Sequence, residues 1–532
     1  MKSALKKPIF LLIAVNLLIG FFIFRQYGLS WDEPLFYDYG RALGYAYNPA
    51  NWFSGQFDLS NSYGASGDDH KNRGPAYLLL ARNFVSGLEA LGSDSAAAWH
   101  LINFLFFQLG IYFLHRFARR WVHEPAALAA TLLFATQPLL WGHAFINPKD
   151  PPFLTFFLTS VCLGFEMVDA IIQDQPNKNR LVVLAAIMLG ITTSIRVLGP
   201  LAGLLVFAYL LFAVANQPNR NQGMVTTALR AFIVYGALTV LFMLATWPYL
   251  WENPLANFIG VFRFMSDNPT NLPVLFHGEV FRASDLPRRY LPVMLAITLT
   301  EPVWFLCGAG LLAGLWQGLR AWKSDREGRK GSFALLLVLG WFLILFGYVV
   351  LRRPAMYDGF RHFLFILPPV FIFCALAFEW AFSLSVVQYA PYWLYATLIG
   401  LVILPGVMGI IRLHPYEYAY YNSFVGGTDG AFRTYETEYW LTCYKEAVEQ
   451  LNATVTTPVN LIVKREPYIA TTYANPNINV LDIRTQSSLA RSGDYVLINT
   501  RTNEDRTTFK EAPIVLRVGR GAATFCIVRQ IP

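Results

Sequence analysis

The sequence predicts an α-helical protein that crosses a membrane many times and carries a small α/β domain after its last span. Three observations indicate this class. Hydrophobic residues make up 55% of the 532 residues and charged residues only 14%, whereas soluble domains have about 25% charged residues. Long apolar runs recur through residues 1–411. From residue 412 onward the apolar runs are short and separated by polar residues, as in a small α/β domain.

Eleven apolar segments are candidate transmembrane helices, because one span needs about 20 mostly apolar residues. The first segment lacks the small-residue cleavage site of a signal peptide, so we expect it to be retained as a span. The predicted spans are 8–24, 96–114, 125–142, 152–171, 181–195, 199–215, 231–247, 291–315, 333–351, 363–383 and 391–411.

Lysine and arginine are concentrated in alternate loops between these segments. They cluster at 2–7, 116–120, 178–180, 220–230 and 320–330. Short cytoplasmic loops are enriched in such residues, which predicts a cytoplasmic N-terminus. The other face of the membrane would then carry the long loops 25–95 and 248–290 and the α/β domain 412–532.

The domain 412–532 contains one amphipathic helical segment and three short strand-like runs. The helix is predicted at 444–452 and the strands at 459–464, 478–483 and 494–500. Cys443 and Cys526 also lie here, and they can pair only if the fold brings them together, a point the sequence leaves open. No cysteine or histidine spacing indicates a zinc site.

Charged residues in the predicted outer loops are unexpected, because short outer loops are usually poor in cations. One explanation is that these side chains simply extend from helix ends to water, and the other is a shared site on the outer face. In loop 25–95, Asp68, Asp69 and His70 belong either to a solvated loop or to a divalent metal site. The other charged or titratable residues in the predicted outer loops that raise this question are Asp32, Glu33, Lys149, Asp150, Arg196, Arg352, Arg353, Arg361 and His362.

Carboxylates and cations at an outer membrane face suit transfer of a group from a phosphate donor. A carboxylate can take the proton of an acceptor hydroxyl. Arginine and lysine can hold a phosphate and neutralise the charge that develops on it as it leaves. Nucleotide sugars are not supplied outside the cytoplasm, so a polyprenyl-phosphate sugar is the donor that fits this chemistry.

The chain resembles the GT-C class of integral-membrane glycosyltransferases, in particular family 39, over most of residues 1–440. That family includes protein O-mannosyltransferases and bacterial transferases that add aminoarabinose to lipid A. The resemblance rests on "WDEP", "NPKDPP", "TTSIRVLGP", "GFRHFLFILPPV" and "HPYEYAYYNSFVGGTDGAFRTYETEYW". "DDHKNRGPAYLLL" stands where the family has a His-Pro-Pro stretch, and the last of the five motifs is similar to bacterial members.

The resemblance implies an inverting transfer at a bacterial plasma membrane, without a cofactor, to a lipid, glycan or protein hydroxyl. Asp32 would be the general base, Glu33 would orient it or contact the acceptor, and Asp150 would be the second acidic residue. The residues that would contact the donor phosphate or sugar are Lys149, Arg196, Arg361, Tyr357, His362 and His70. Arg196 stands where the family often has lysine, which changes the geometry of the contact.

The main alternative function is a transporter or flippase of a lipid-linked or anionic substrate. Transporters usually place polar residues near the bilayer midplane between repeated halves of the chain. Here the predicted spans carry few charges and show no such repeat, which favours the enzyme. Another lipid-linked transferase, such as a glycan polymerase or ligase, would share the same substrate chemistry. We expect the domain 412–532 to recognise the acceptor.

Overall fold

The computed structural model describes residues 8–217, 222–266, 271–324, 326–384 and 391–532. Residues 2–7 and Arg220, which were among the predicted cytoplasmic cations, lie outside this part of the chain. Most of the described chain is helical. The main helices are α1 (Pro8–Ile23), α2 (Glu33–Ala42), α3 (Ala76–Ala90), α4 (Ser95–Ala118), α5 (Glu124–Ala135), α6 (Pro138–Ile146), α7 (Asp150–Ile172), α8 (Lys178–Ile195), α9 (Pro200–Ala215), α10 (Gln222–Ala245), α11 (Pro254–Ser266), α12 (Tyr290–Thr298), α13 (Glu301–Ser324), α14 (Arg326–Arg352), α15 (Pro368–Ser383), α16 (Tyr392–Leu413), α17 (Cys443–Thr454) and α18 (Pro467–Tyr473).

Each of the eleven predicted spans coincides with one helix or with two consecutive helices. Among the described residues, seven helices are long and apolar enough to cross a membrane, and four shorter ones are also apolar. The chain is therefore a multi-pass membrane protein, while the count of eleven crossings stays a prediction. The predicted spans 125–142 and 291–315 are each divided, the first into α5 and α6 and the second into α12 and α13.

The two divided spans lie against each other at their breaks. The Gln137 side chain donates to Thr300 Oγ1 (3.0 Å) and accepts from the Thr300 backbone N–H (3.0 Å). Both residues are buried. Since lipid cannot satisfy a free backbone group, this reciprocal pair stabilises both breaks.

Several helices begin with an acidic residue followed by proline. The pairs are Glu33-Pro34, Glu124-Pro125, Asp150-Pro151 and Glu301-Pro302. Proline suits the first turn because its missing N–H would have no partner there, and a carboxylate interacts favourably with the helix dipole. This local rule fixes where α7 begins, and thereby places Asp150 at its first residue.

Helix α7 is the most enclosed of the candidate spans, with α4, α8 and α9 packed around it. By contrast, α10 and α16 leave most of their apolar surface exposed, as expected for helices that face lipid. The first residue of α7 is therefore at the centre of one end of the bundle. The short loop before it carries Asn147 and Lys149.

The chain after α16 forms a five-stranded mixed sheet. Its strands are β3 (Val459–Val463), β4 (Ile478–Asp482), β5 (Tyr495–Asn499), β6 (Ile514–Arg520) and β7 (Ala523–Gln530), in the order β4-β3-β5-β7-β6, while β1 (Pro273–Phe276) and β2 (Glu279–Arg282) form a separate hairpin. Strand β3 is parallel to β4 and β5, and β7 is antiparallel to both neighbours.

The structure contains the predicted helix as α17 and the three predicted strands as β3, β4 and β5. Strands β6 and β7 were not predicted. Cys443 at the start of α17 and Cys526 in β7 form a disulfide, with their Cα atoms 6.0 Å apart. This answers the question of pairing that the sequence left open. The boundary at residue 412 stays a prediction.

Candidate functional site

Asp32 lies in the turn between α1 and α2, immediately before the first residue of α2. Its side chain caps no helix N–H, although it occupies the N-cap position. Oδ2 is 3.1 Å from Arg361 Nη2, and the side chain is 26% exposed. Within the described part of the chain, Oδ1 has no hydrogen-bond partner. Asp32 thus combines one anchored oxygen with one oxygen that is available to a ligand.

Arg361 is the centre of the site and contacts three carboxylates. Its Nη2 approaches Asp32 Oδ2 (3.1 Å) and Asp358 Oδ2 (3.1 Å), and its Nη1 approaches Asp150 Oδ2 (3.3 Å). The guanidinium is buried and lies over the Trp440 ring at 4.9 Å. A guanidinium presents five N–H donors in a fixed plane, which allows one side chain to orient several acids at once.

Asp150 is buried and fully engaged by its neighbours. Arg196 Nη2 donates to Oδ1, and Asn147 Nδ2 donates to Oδ2 (2.9 Å). Asn147 also accepts from the backbone N–H of Asp150 (2.9 Å) and of Lys149 (3.1 Å), so it shapes the loop before α7. Because neither oxygen of Asp150 is exposed, the geometry favours a role in orienting Arg196 and Arg361 over contact with a substrate.

Lys149 is buried but, among the described residues, its ammonium makes no ion pair. The nearest aromatic contact is with the Phe36 ring, whose centroid is 5.3 Å from Nζ. Burial, followed by repulsion from Arg73 and Arg196, lowers the pKa of Lys149. An anionic group that binds beside Nζ would favour the protonated side chain and gain a charged contact with it.

Glu33 is fully buried and has three partners. The Ser30 N–H donates to Oε2 (2.6 Å), the Tyr37 hydroxyl donates to Oε1, and His100 Nε2 lies 3.0 Å from Oε1. With both oxygens engaged in this way, Glu33 fixes the turn that carries Asp32. The geometry favours the orienting role over contact with an acceptor.

The structure groups Tyr357 and His362 beside Arg361 and places His70 against Phe36, the ring that Lys149 also faces. The Tyr357 ring lies 5.3 Å from the Arg361 guanidinium and 4.9 Å from the His362 ring. His70 stacks on Phe36 at 5.0 Å and is buried. Burial lowers the pKa of His70 to about 4, so the ring is neutral at pH 7.

A divalent metal site at residues 68–70, the alternative to a solvated loop, would need carboxylate oxygens that other side chains do not already engage. Both oxygens of Asp69 accept from Arg73, at 2.8 and 3.0 Å. The side chain of Asp68 lies outside the described part of the structure. In the described ranges, the one group with metal-ligand spacing is Glu438 with the two cysteines of the disulfide.

Four residues near Arg361 were not predicted. Arg501 Nη2 lies 2.8 Å from Asp358 Oδ1, and Arg501 Nε donates to Glu436 Oε1 (2.8 Å). Burial raises the pKa of Asp358 despite its two arginines, and it raises the pKa of Glu436 to about 7. Asp358 stands within the stretch "MYDGFRHF" and could have been found there. Glu436, Trp440 and Arg501 come from the chain after α16, where no motif points to them.

The site therefore brings together Asp32, Lys149, Asp150, Arg196, Tyr357, Arg361 and His362, from loops that are far apart in sequence. All of these loops were assigned to one face of the membrane because the alternate loops carry the clusters of lysine and arginine. In this arrangement the exposed carboxylate oxygen can accept a proton, and the buried cations beside it can hold an anion.

No protein-family model matches the chain, and no curated protein matches it in sequence. Among solved structures, the oligosaccharyltransferase of Archaeoglobus fulgidus is similar over 94% of this chain and 70% of that one, with a TM-score of 0.54 and 12% identity. ArnT from Cupriavidus metallidurans, solved bound to undecaprenyl phosphate, aligns over 97% of each chain, with a TM-score of 0.48 and 15% identity. The arabinofuranosyltransferase AftD from Mycobacteria aligns over 98% of this chain and 41% of that one, with a TM-score of 0.42 and 15% identity.

At such identities, structural similarity shows the fold and leaves the reaction open. The similarity to the oligosaccharyltransferase extends over nearly the whole chain and includes the membrane helices. The GT-C fold expected from the resemblance is thereby confirmed, whereas membership of family 39 stays a prediction. The chain has the fold of the GT-C membrane glycosyltransferases.

Proposed function

We propose that this protein is a glycosyltransferase that moves a sugar from a polyprenyl-phosphate donor to a hydroxyl group of a lipid, glycan or protein. The reaction takes place at the outer face of the bacterial plasma membrane. The observation that carries the proposal is the pairing of Asp32, which has one free oxygen, with the buried Arg361, close to the unpaired Lys149.

In the proposed reaction, Asp32 accepts the proton of the acceptor hydroxyl. The hydroxyl oxygen attacks the anomeric carbon from the side opposite the phosphate, and the bond from that carbon to the phosphate oxygen breaks. The bonding electrons leave with the phosphate, whose added charge is neutralised by Lys149 and Arg361. This direct displacement inverts the configuration of the sugar.

Two features support a donor anchored in lipid. The site lies at one end of an apolar bundle, where a polyprenyl tail can remain in the membrane while its phosphate reaches the loops. The cations nearest Asp32 are buried, so ions of the bulk solvent screen their charge only weakly. They can therefore pair with a phosphate that the lipid tail holds at the site.

The test is a transfer assay in membranes supplied with polyprenyl-phosphate sugars, comparing the wild type with Asp32→Asn. The swap keeps the shape of the side chain and removes the base, so we expect transfer to fall by at least about 100-fold. Asp38→Asn is the matched control, because Asp38 lies on the same helix and accepts from the Ala65 N–H (2.8 Å) instead of from the site.

Equal activity of the Asp32→Asn and Asp38→Asn proteins would contradict the role of Asp32 as base. A second readout follows labelled lipid-linked sugar across sealed vesicles. Movement of intact donor across the membrane without transfer would favour the transporter over the enzyme.

A further inference from the structure

The turn that carries Asp32 is held largely by the chain that follows the last membrane helix. The Tyr468 hydroxyl donates to the Trp31 carbonyl (2.6 Å), and the Trp31 N–H donates to the Trp440 carbonyl (3.1 Å). The Leu29 N–H donates to the Tyr473 hydroxyl (2.8 Å). Three residues from this later part of the chain thus fix the backbone immediately before Asp32.

The same part of the chain also reaches Arg361 through a line of buried charges. Arg501 bridges Glu436 and Asp358, and Asp358 in turn contacts Arg361. All four side chains are buried. The Arg501 guanidinium also lies over the Trp31 ring, 5.4 Å from its centroid, so it contacts the Asp32 turn as well.

Sharing of Asp358 between two guanidiniums determines how much positive charge Arg361 offers to a ligand. One oxygen of Asp358 faces Arg501 and the other faces Arg361. Without Arg501, both oxygens would be free to pair with Arg361 and would neutralise it more completely. Lysine at position 501 would keep the charge but, with a single ammonium, could not hold Glu436 and Asp358 in the same geometry.

We propose that Arg501 and Tyr468 are positioning residues. Tyr468 fixes the position of Asp32, and Arg501 fixes the orientation of Arg361 and how much of its positive charge Asp358 neutralises. The chain after α16, residues 414–532, contains the five-stranded sheet and is called the sheet region below. It is then a structural part of the catalytic centre, in addition to any role in recognising the acceptor. The inference rests on the proposed function, because it assigns a purpose to contacts around the proposed base.

The first experiment compares Tyr468→Phe with Tyr416→Phe. Each substitution removes one tyrosine hydroxyl that donates a hydrogen bond. Tyr416→Phe is the control, because the Tyr416 hydroxyl donates to Glu446 Oε2 (2.9 Å) and not to the Asp32 turn. We expect Tyr468→Phe to lower kcat by about 10-fold, with KM for the donor within about 2-fold, as for loss of one orienting hydrogen bond. Tyr416→Phe should leave kcat unchanged.

The second experiment measures binding of undecaprenyl phosphate, together with kcat and Tm, for Arg501→Lys. We expect affinity to fall by about 10-fold because Arg361 becomes more fully paired. The inference is overturned if Tyr468→Phe and Arg501→Lys match Tyr416→Phe in kcat and in binding while Asp32→Asn is inactive. Activity retained by Asp32→Asn would instead contradict the proposed function itself. If Arg501→Lys fails to fold, the comparison of Tyr468→Phe with Tyr416→Phe decides whether the sheet region positions Asp32.

Discussion

Two neighbouring cations of the site differ in how their charge is balanced. Arg361 contacts the carboxylates of Asp32, Asp150 and Asp358, whereas Lys149 is buried with no ion pair among the described residues. An unpaired buried charge destabilises the folded state unless a ligand supplies the missing partner. The contrast indicates that Arg361 organises the site and that Lys149 meets an anion brought to it.

Replacement of Lys149 by methionine should therefore weaken donor binding without lowering the stability of the protein. We expect the Tm of Lys149→Met to equal or exceed that of the wild type, since the buried charge is removed and the side-chain length is kept. Affinity for undecaprenyl phosphate should fall by about 10-fold or more, as for loss of one charged contact. Thermal unfolding and binding, both in detergent, check the two expectations.

Lys464→Met is the control for this prediction. The Lys464 ammonium donates to Thr508 Oγ1 (2.7 Å) and lies 3.3 Å from Glu504, in the sheet region. Its loss should lower the Tm slightly and leave donor binding unchanged. A Lys149→Met protein that binds undecaprenyl phosphate normally would show that Lys149 is not a donor contact.

Among the secondary-structure elements, helices were predicted better than their interruptions. Hydropathy identifies long runs such as α4 and α14 because helices that cross a membrane need apolar side chains on most faces. The break between α5 and α6 escaped prediction, since Gln137 and Thr300 stabilise it from two segments far apart in sequence. Strands β6 and β7 were not predicted, although each contains a short apolar run, Ile514 to Leu516 in β6 and Phe525 to Val528 in β7.

The pairing of the two helix breaks gives a prediction about stability. Gln137→Leu leaves the Thr300 N–H without its partner inside the apolar bundle, and we expect a loss of about 1–3 kcal/mol of folding free energy. Gln173→Leu, the same substitution at an exposed position after α7, should change stability by less than about 0.5 kcal/mol. Denaturation in mixed micelles measures both, and equal losses would contradict the role of the pair.

For the whole molecule, the sequence predicted which loops meet but not what holds them together. Because the alternate loops carry the clusters of lysine and arginine, the loops with Asp32, Asp150, Arg196 and Arg361 were assigned to the opposite face. The structure brings these four side chains into contact. The support from Glu436, Trp440 and Arg501 could not be foreseen. It depends on how the sheet packs against the bundle, and no local pattern reports such a contact between distant segments.

The orientation of the whole molecule can be tested with single introduced cysteines. We expect Ser487→Cys, exposed in the sheet region, to react with a membrane-impermeant thiol reagent in intact cells. Gln173→Cys, exposed in a predicted cytoplasmic loop, should react only after permeabilisation. The disulfide between Cys443 and Cys526 agrees with an oxidising compartment for the sheet region. The reverse labelling pattern would contradict the proposed orientation.

The contact of Arg501 with the Asp32 network has a consequence for biosynthesis. In translation the turn with Asp32 is made before most of the membrane helices and Arg501 is made after all of them, so the centre cannot be completed while the helices are being synthesised. Membrane insertion of the helices would yield an inactive intermediate, and activity would appear only when the sheet has folded onto them. Newly made protein should therefore acquire transferase activity after a lag that is set by folding of the chain after α16.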